Sequence, residues 1–207
     1  MTARATGVTA WLDRRVAILV FGPLILLSVF GHIVNPFLHY ARAPILAGEW
    51  WRLITGHFVH IDAAHLTLNC AVILAWLYVF RERESPLVVA TRLLAYAAMS
   101  GLSMLAFSPD LTWMLGASAL TYALIAGSAL RAAIAGPRML GLIVLAGLAV
   151  RIGAEQIWEL ESWFGHFVDY PIASAAHGHG VAAGLVFELG RLAWRSLRAP
   201  MRKGITG

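Results

Sequence analysis

Charge is what this chain has least of. Only 13% of its 207 residues are Asp, Glu, Lys or Arg, about half the share of an ordinary soluble domain. A water-solvated globule is excluded on that ground. Cysteine is nearly absent as well. Cys70 is the single one, which rules out an intrachain disulfide, and its place in an apolar run assigns it to packing. Low-complexity segments and convincing internal repeats are also missing. What the chain has in abundance is apolar surface: 59% of residues are hydrophobic and the mean hydropathy is +0.72. The expectation is a single integral membrane domain over 1–207, all-α, with little room for a separate soluble unit.

Six apolar segments are read along the chain, at about 16–34, 65–80, 87–107, 115–131, 138–155 and 173–192. Pro23 should kink the first of them. The second ends at the charged run 81–84. Arg92, near the start of the third, is placed to snorkel toward the interface. Arg151 and Glu155 dilute the end of the fifth, and Glu188 and Arg191 close the sixth. Several segments fall short of the roughly 20 residues of a full span, which fits a protein that thins the lipid around it or holds a wet dip. Arg14-Arg15 before an apolar stretch imitates a secretory signal, but the stretch is long and no Ala-x-Ala site follows, so it reads as an uncleaved span.

The basic residues set the topology. With six spans and a cytoplasmic N-terminus, the inside segments hold Arg4, Arg14, Arg15, Arg81, Arg83, Arg92, Arg131, Arg138, Arg191, Arg195, Arg198, Arg202 and Lys203, leaving Arg42, Arg52 and Arg151 outside. That bias predicts N-in and C-in, with 1–14 as a cytoplasmic segment and 194–207 as a basic cytoplasmic tail. It also accounts for the net charge of +5 without nucleic acid as a partner; the lipid bilayer is the partner.

Against this background the polar residues stand out. Ser118 and His177 each sit beside small residues inside an apolar segment, and the run His60-Ile-Asp-Ala-Ala-His65-Leu-Thr-Leu-Asn69 adds further polar groups. Hydroxyl, imidazole and carboxamide groups at membrane depth are costly unless they pair or face a wet cavity. Together they are the residue types of serine-type acyl transfer. No carboxylate is read at a matching depth to orient the imidazole. Tyr122, one turn past Ser118, shares its helix face, and His65 and Asn69, four apart, share another. Taken singly, each has an ordinary reading: a membrane serine bonds the carbonyl one turn back, and Gly180 and Gly184 pack helices. A metal site from His57, His60 and His65 lacks the carboxylate or thiolate company such sites often keep. His179 rivals His177 as a base but points to another side of the helix. No cofactor is expected.

The ordering of these residues resembles the rhomboid intramembrane serine proteases. That family's Trp-Arg, followed by His-x4-His-x3-Asn, is matched by Trp51-Arg52, His60, His65 and Asn69. Its Gly-x-Ser-Gly with an aromatic one turn later is matched by Gly116, Ser118 and Tyr122, with Ala119 in place of the second glycine. Its Ala-His-x2-Gly-x3-Gly is matched by Ala176, His177, Gly180 and Gly184. The compact six-span form and the Gly48-Glu49-Trp50-Trp51-Arg52-Leu53 lead-in resemble the rhombosortase branch in particular, which is linked to proteins with C-terminal Gly-Gly tails.

The resemblance implies a six-transmembrane-helix bundle and a Ser118–His177 dyad. Tyr122 would stack on the histidine, and His65, Asn69 and the Ser118 backbone N–H would form an oxyanion hole. Gly116 would give backbone freedom before the serine, Gly180 and Gly184 would allow close helix approach, and His60 would be a structural loop residue. It further implies transmembrane substrates with C-terminal tails, cut near the periplasmic face of a bacterial inner membrane. Ala119 adds a methyl group where the family leaves space. That departure motivates a second reading, a non-catalytic relative that binds membrane proteins. A carrier built on the histidine cluster is a third. The loop at 36–64, rich in aromatics, should dip into the outer leaflet, and the loop at 156–172, with Trp158, Trp163, Phe164 and Phe167, should cap the cavity.

Overall fold

The structure is a computed structural model that describes residues 14–80, 85–157 and 174–198. The charged run at 81–84, most of the expected cap at 156–172, and both chain ends lie outside the described residues. The order of elements is α1 (Arg14–Val29), α2 (Gly31–Leu38), β1 (Tyr40–Ala41), α3 (Arg42–Leu46), α4 (Arg52–Thr55), α5 (Ala63–Phe80), α6 (Pro86–Phe107), β2 (Trp113–Met114), α7 (Ser118–Ala135), α8 (Arg138–Ile157) and α9 (Ser174–Arg198). Among the described residues the regular structure is helical apart from the antiparallel pairing of β1 with β2, which sets Tyr40 opposite Met114.

Local chemistry explains where the long helices start. Asp62 accepts the His65 backbone N–H at 2.8 Å and caps α5, satisfying one of the orphan donors of the first turn. Ser85 accepts the Val88 N–H at the head of α6, with Pro86 in the first helical position, where its missing N–H costs nothing. Helices α5, α6, α7 and α8 are long and apolar enough to cross a membrane, and α1 with α2 would make a fifth span. Helix α9 is the longest at 25 residues but less apolar, because it carries Glu188, Arg191, Arg195 and Arg198. It also runs four residues beyond Trp194, so part of the expected tail is helix.

Three details differ from the sequence reading. The sharp bend in the first segment is not at Pro23, which α1 accommodates, but at Phe30, where α2 turns off by 105°. The 36–64 stretch is folded: α2, β1, α3 and α4 occupy it, held by Arg52. That guanidinium is buried and donates to Glu49 Oε2 (2.7 Å) and to the carbonyls of His39 and Pro36 (both 3.0 Å), while Trp51 donates to the Phe37 carbonyl. Its aromatics Phe37, Trp50 and Trp51 remain exposed. Finally, Arg92 does not snorkel. It is buried and donates to Glu188 Oε1 at 2.7 Å, on a carboxylate that also receives Tyr96 and Arg131. A buried ion pair with further hydrogen bonds is the arrangement that makes such charges tolerable away from water.

Helix α7 lies at the centre, with more of its surface buried than any other candidate span. Small residues at helix contacts make the close packing possible. A methyl group added at Gly141 of α8 would overlap the backbone of Ala129 and Ala133, and one at Gly101 of α6 would strike Leu53 of α4. The main core, around Val20, Ile73, Trp76, Leu93, Leu120 and Leu124, joins α1, α5, α6 and α7. A second cluster, including Tyr40, Met104, Met114, Ala119 and Ala176, packs the heads of α7 and α9 against the β pair.

Candidate active site

Ser118 is the first residue of α7, half-buried, and Ala117 before it offers no side-chain cap. Among the described residues no side chain accepts from the first N–H groups of this helix, at its electropositive end. The preceding turn is fixed from outside. Gly116 N–H donates to the Gly56 carbonyl at 3.0 Å, and Ala117 N–H donates to His60 Nε2 at 3.3 Å. Gly116 itself has φ +116° and lies against the His65 ring, so a Cβ there would collide with the imidazole. Both the left-handed backbone and the contact demand glycine.

His60 is buried and uses three groups. Its Nε2 accepts from Ala117, so its Nδ1 carries the proton and donates to Ser28 Oγ at 3.1 Å, while its carbonyl accepts from Asn35 Nδ2 at 2.9 Å. Its ring meets His65 edge-on, with centroids 5.1 Å apart. Burial, aided by the neighbouring His65, pushes the His60 imidazole down to about 3. His57, in the same loop between α4 and α5, is enclosed completely, and burial lowers it to about 4 against the opposing pull of the Ala97 backbone. Asn69 is buried on α5 and spends one amide hydrogen on the His65 carbonyl at 3.0 Å, leaving its second N–H for another acceptor.

Helices α7 and α9 run side by side at the site. A Cβ at Gly180 would overlap the Ala119 carbonyl, and one at Gly184 the Ala123 carbonyl, so the two backbones touch at successive turns. This brings His177, one turn before Gly180, to the head of α7. Its ring stacks on Tyr122, with centroids 4.4 Å apart and planes inclined by 23°. Among the described residues no hydrogen bond joins Ser118 to His177; such contacts often tighten only when substrate is bound. The Ala119 methyl is fully buried in the cluster with Tyr40, Met104 and Ala176. His179 is occupied elsewhere: each ring nitrogen lies 2.7 Å from a hydroxyl, Ser103 Oγ on one side and Ser108 Oγ on the other.

One reading is overturned. A carboxylate does face the imidazole. Glu155 Oε2 lies 2.9 Å from His177 Nδ1, and the Glu155 side chain is fully enclosed. The sequence carried a signal for it, the pair Arg151 and Glu155 one turn apart in an apolar segment, an intramembrane ion pair and so a functional pointer by default. Reading the pair as dilution of a span's end missed that α8 packs this turn against α9.

The Rhomboid domain family model matches residues 47–194, which includes every element from α4 to most of α9. Members of this family are generally intramembrane serine proteases acting on transmembrane substrates within the membrane. The chain is a multi-pass membrane protein, and it belongs to the rhomboid family.

Proposed function

We propose that this protein is a serine endopeptidase of the membrane interior, with Ser118 as nucleophile and His177 as general base. The observation that carries the reading is the stack of His177 on Tyr122, one turn from Ser118, at a helix crossing that only Gly180 and Gly184 permit. In the reaction the Ser118 hydroxyl oxygen bonds to the scissile carbonyl carbon while its proton passes to His177. The imidazolium then returns that proton to the departing amine, leaving an acyl-enzyme. The oxyanion is received by the Ser118 N–H at the uncapped head of α7, by the second amide hydrogen of Asn69, and by His65. A donor of this kind is worth about 3 kcal/mol of barrier. The substrate helix has to unwind first, because its carbonyls are hydrogen-bonded within the helix, and glycines ease that step.

In this proposal α1, α5, α6, α7, α8 and α9 are six spans, oriented N-in and C-in by the arginine bias, in a bacterial inner membrane with the site toward the periplasm. The substrates are membrane-anchored proteins with C-terminal Gly-Gly tails, as the likeness to rhombosortases implies. Water or an amine-bearing lipid headgroup resolves the acyl-enzyme. A fluorophosphonate probe tests the nucleophile: the wild type should label, and Ser118→Ala and His177→Ala should not. Undiminished labelling of Ser118→Ala would remove the assignment.

A further inference from the structure

The dyad leaves one enclosed acidic side chain at the site, Glu155, without a task. Four side chains close a ring: Tyr122 stacks on His177, His177 Nδ1 meets Glu155 Oε2 at 2.9 Å, and Glu155 Oε1 pairs with Arg151 Nη2 at 2.5 Å. Arg151 Nε then donates to the Tyr122 hydroxyl at 3.3 Å. We propose that Glu155 is a positioning residue for the reaction, holding the imidazole through Nδ1, with Arg151 anchoring both Glu155 and Tyr122. The inference rests on the serine-protease reading above.

The chemistry follows from which nitrogen carries the proton. A carboxylate accepts and cannot donate, so the neutral histidine beside it must hold its hydrogen on Nδ1. The lone pair is then on Nε2, the nitrogen left to receive the serine proton. When that proton arrives the ring becomes a cation in a site with little water, and an adjacent anion stabilises it far more there than in bulk solvent. Arg151, paired with Glu155 Oε1 and donating to Tyr122, fixes the carboxylate in orientation. The plain alternative is a tether, in which Glu155 merely ties α8 to α9. A tether would support folding and affinity and would leave the acylation rate per folded molecule alone.

The experiment is probe labelling of the full-length protein in detergent with a fluorophosphonate. The maximal inactivation rate is separated from the apparent affinity, and the folded fraction is measured by size exclusion and thermal unfolding. Glu155→Gln keeps the size and removes the anion. The expected result is a fall in maximal rate of at least about 10²-fold per folded molecule, as for loss of a histidine-orienting carboxylate in serine proteases, with affinity unchanged. A rate within twofold of wild type, or a loss confined to affinity or folded fraction, overturns the inference. Ser118→Ala run alongside separates the two claims, because labelling that survives it sinks the protease reading itself.

Discussion

At the residue scale, the turn before Ser118 depends on contacts made from distant parts of the chain. Gly116 is held at φ +116° over the His65 ring, and the next amide is received by His60. Gly116→Ala meets two penalties at once, a left-handed backbone and a ring collision. Its expected cost is about 2–3 kcal/mol, with loss of probe labelling. A thermal unfolding midpoint and a labelling rate both equal to wild type would show that the turn is not so constrained. The motif residues Ser118, His177, Tyr122 and His60 were legible as motifs, because their spacing survives in one dimension. Glu155 was legible only as half of a pair with Arg151, since its bond to His177 depends on α8 and α9 meeting at one turn. Arg92 was misread for the same reason: its partner Glu188 lies 96 residues further along the chain.

At the element scale, the pairing of α7 with α9 is set by backbone contact at Gly180 and Gly184. Gly180→Ala places a methyl on the Ala119 carbonyl, so α9 must retreat and the Tyr122–His177 stack must open. The expected outcome is a fall in labelling rate of more than about 10-fold, in line with the sensitivity of catalysis to misplacements near 1 Å. Gly190→Ala is the matched control, because nothing lies within 4 Å of its added Cβ. It should leave activity intact and raise stability by roughly 0.5–1 kcal/mol. Equal effects of the two substitutions would mean that helix propensity, not approach distance, is being measured.

At the scale of the whole molecule, the loop between α4 and α5 makes stability pH-dependent. His57 and His60 are held neutral by burial, at about 4 and about 3, while an unfolded histidine titrates near 6.5. Below that value the unfolded chain binds protons that the folded one refuses, so stability is full above about pH 7 and declines as pH falls. Each histidine contributes up to about 1.4 kcal/mol per pH unit, and the two together on the order of 4 kcal/mol between pH 7 and pH 5. Denaturant unfolding in detergent at those two values checks it. A flat midpoint would mean that the loop opens and hydrates both rings.

The chain's residue order by itself determined the class of molecule and picked out the candidates for its site. Scarce charge and long apolar runs require a membrane, and motif residues at helical spacing reveal which faces carry chemistry. Only the tertiary structure decided the bend at Phe30, the folding of the 36–64 stretch around Arg52, and the carboxylate on His177. The reason is physical. Periodicity along a helix records which side faces its neighbours, whereas the identity of the neighbour depends on where small residues let two backbones touch, and that is a property of pairs of helices.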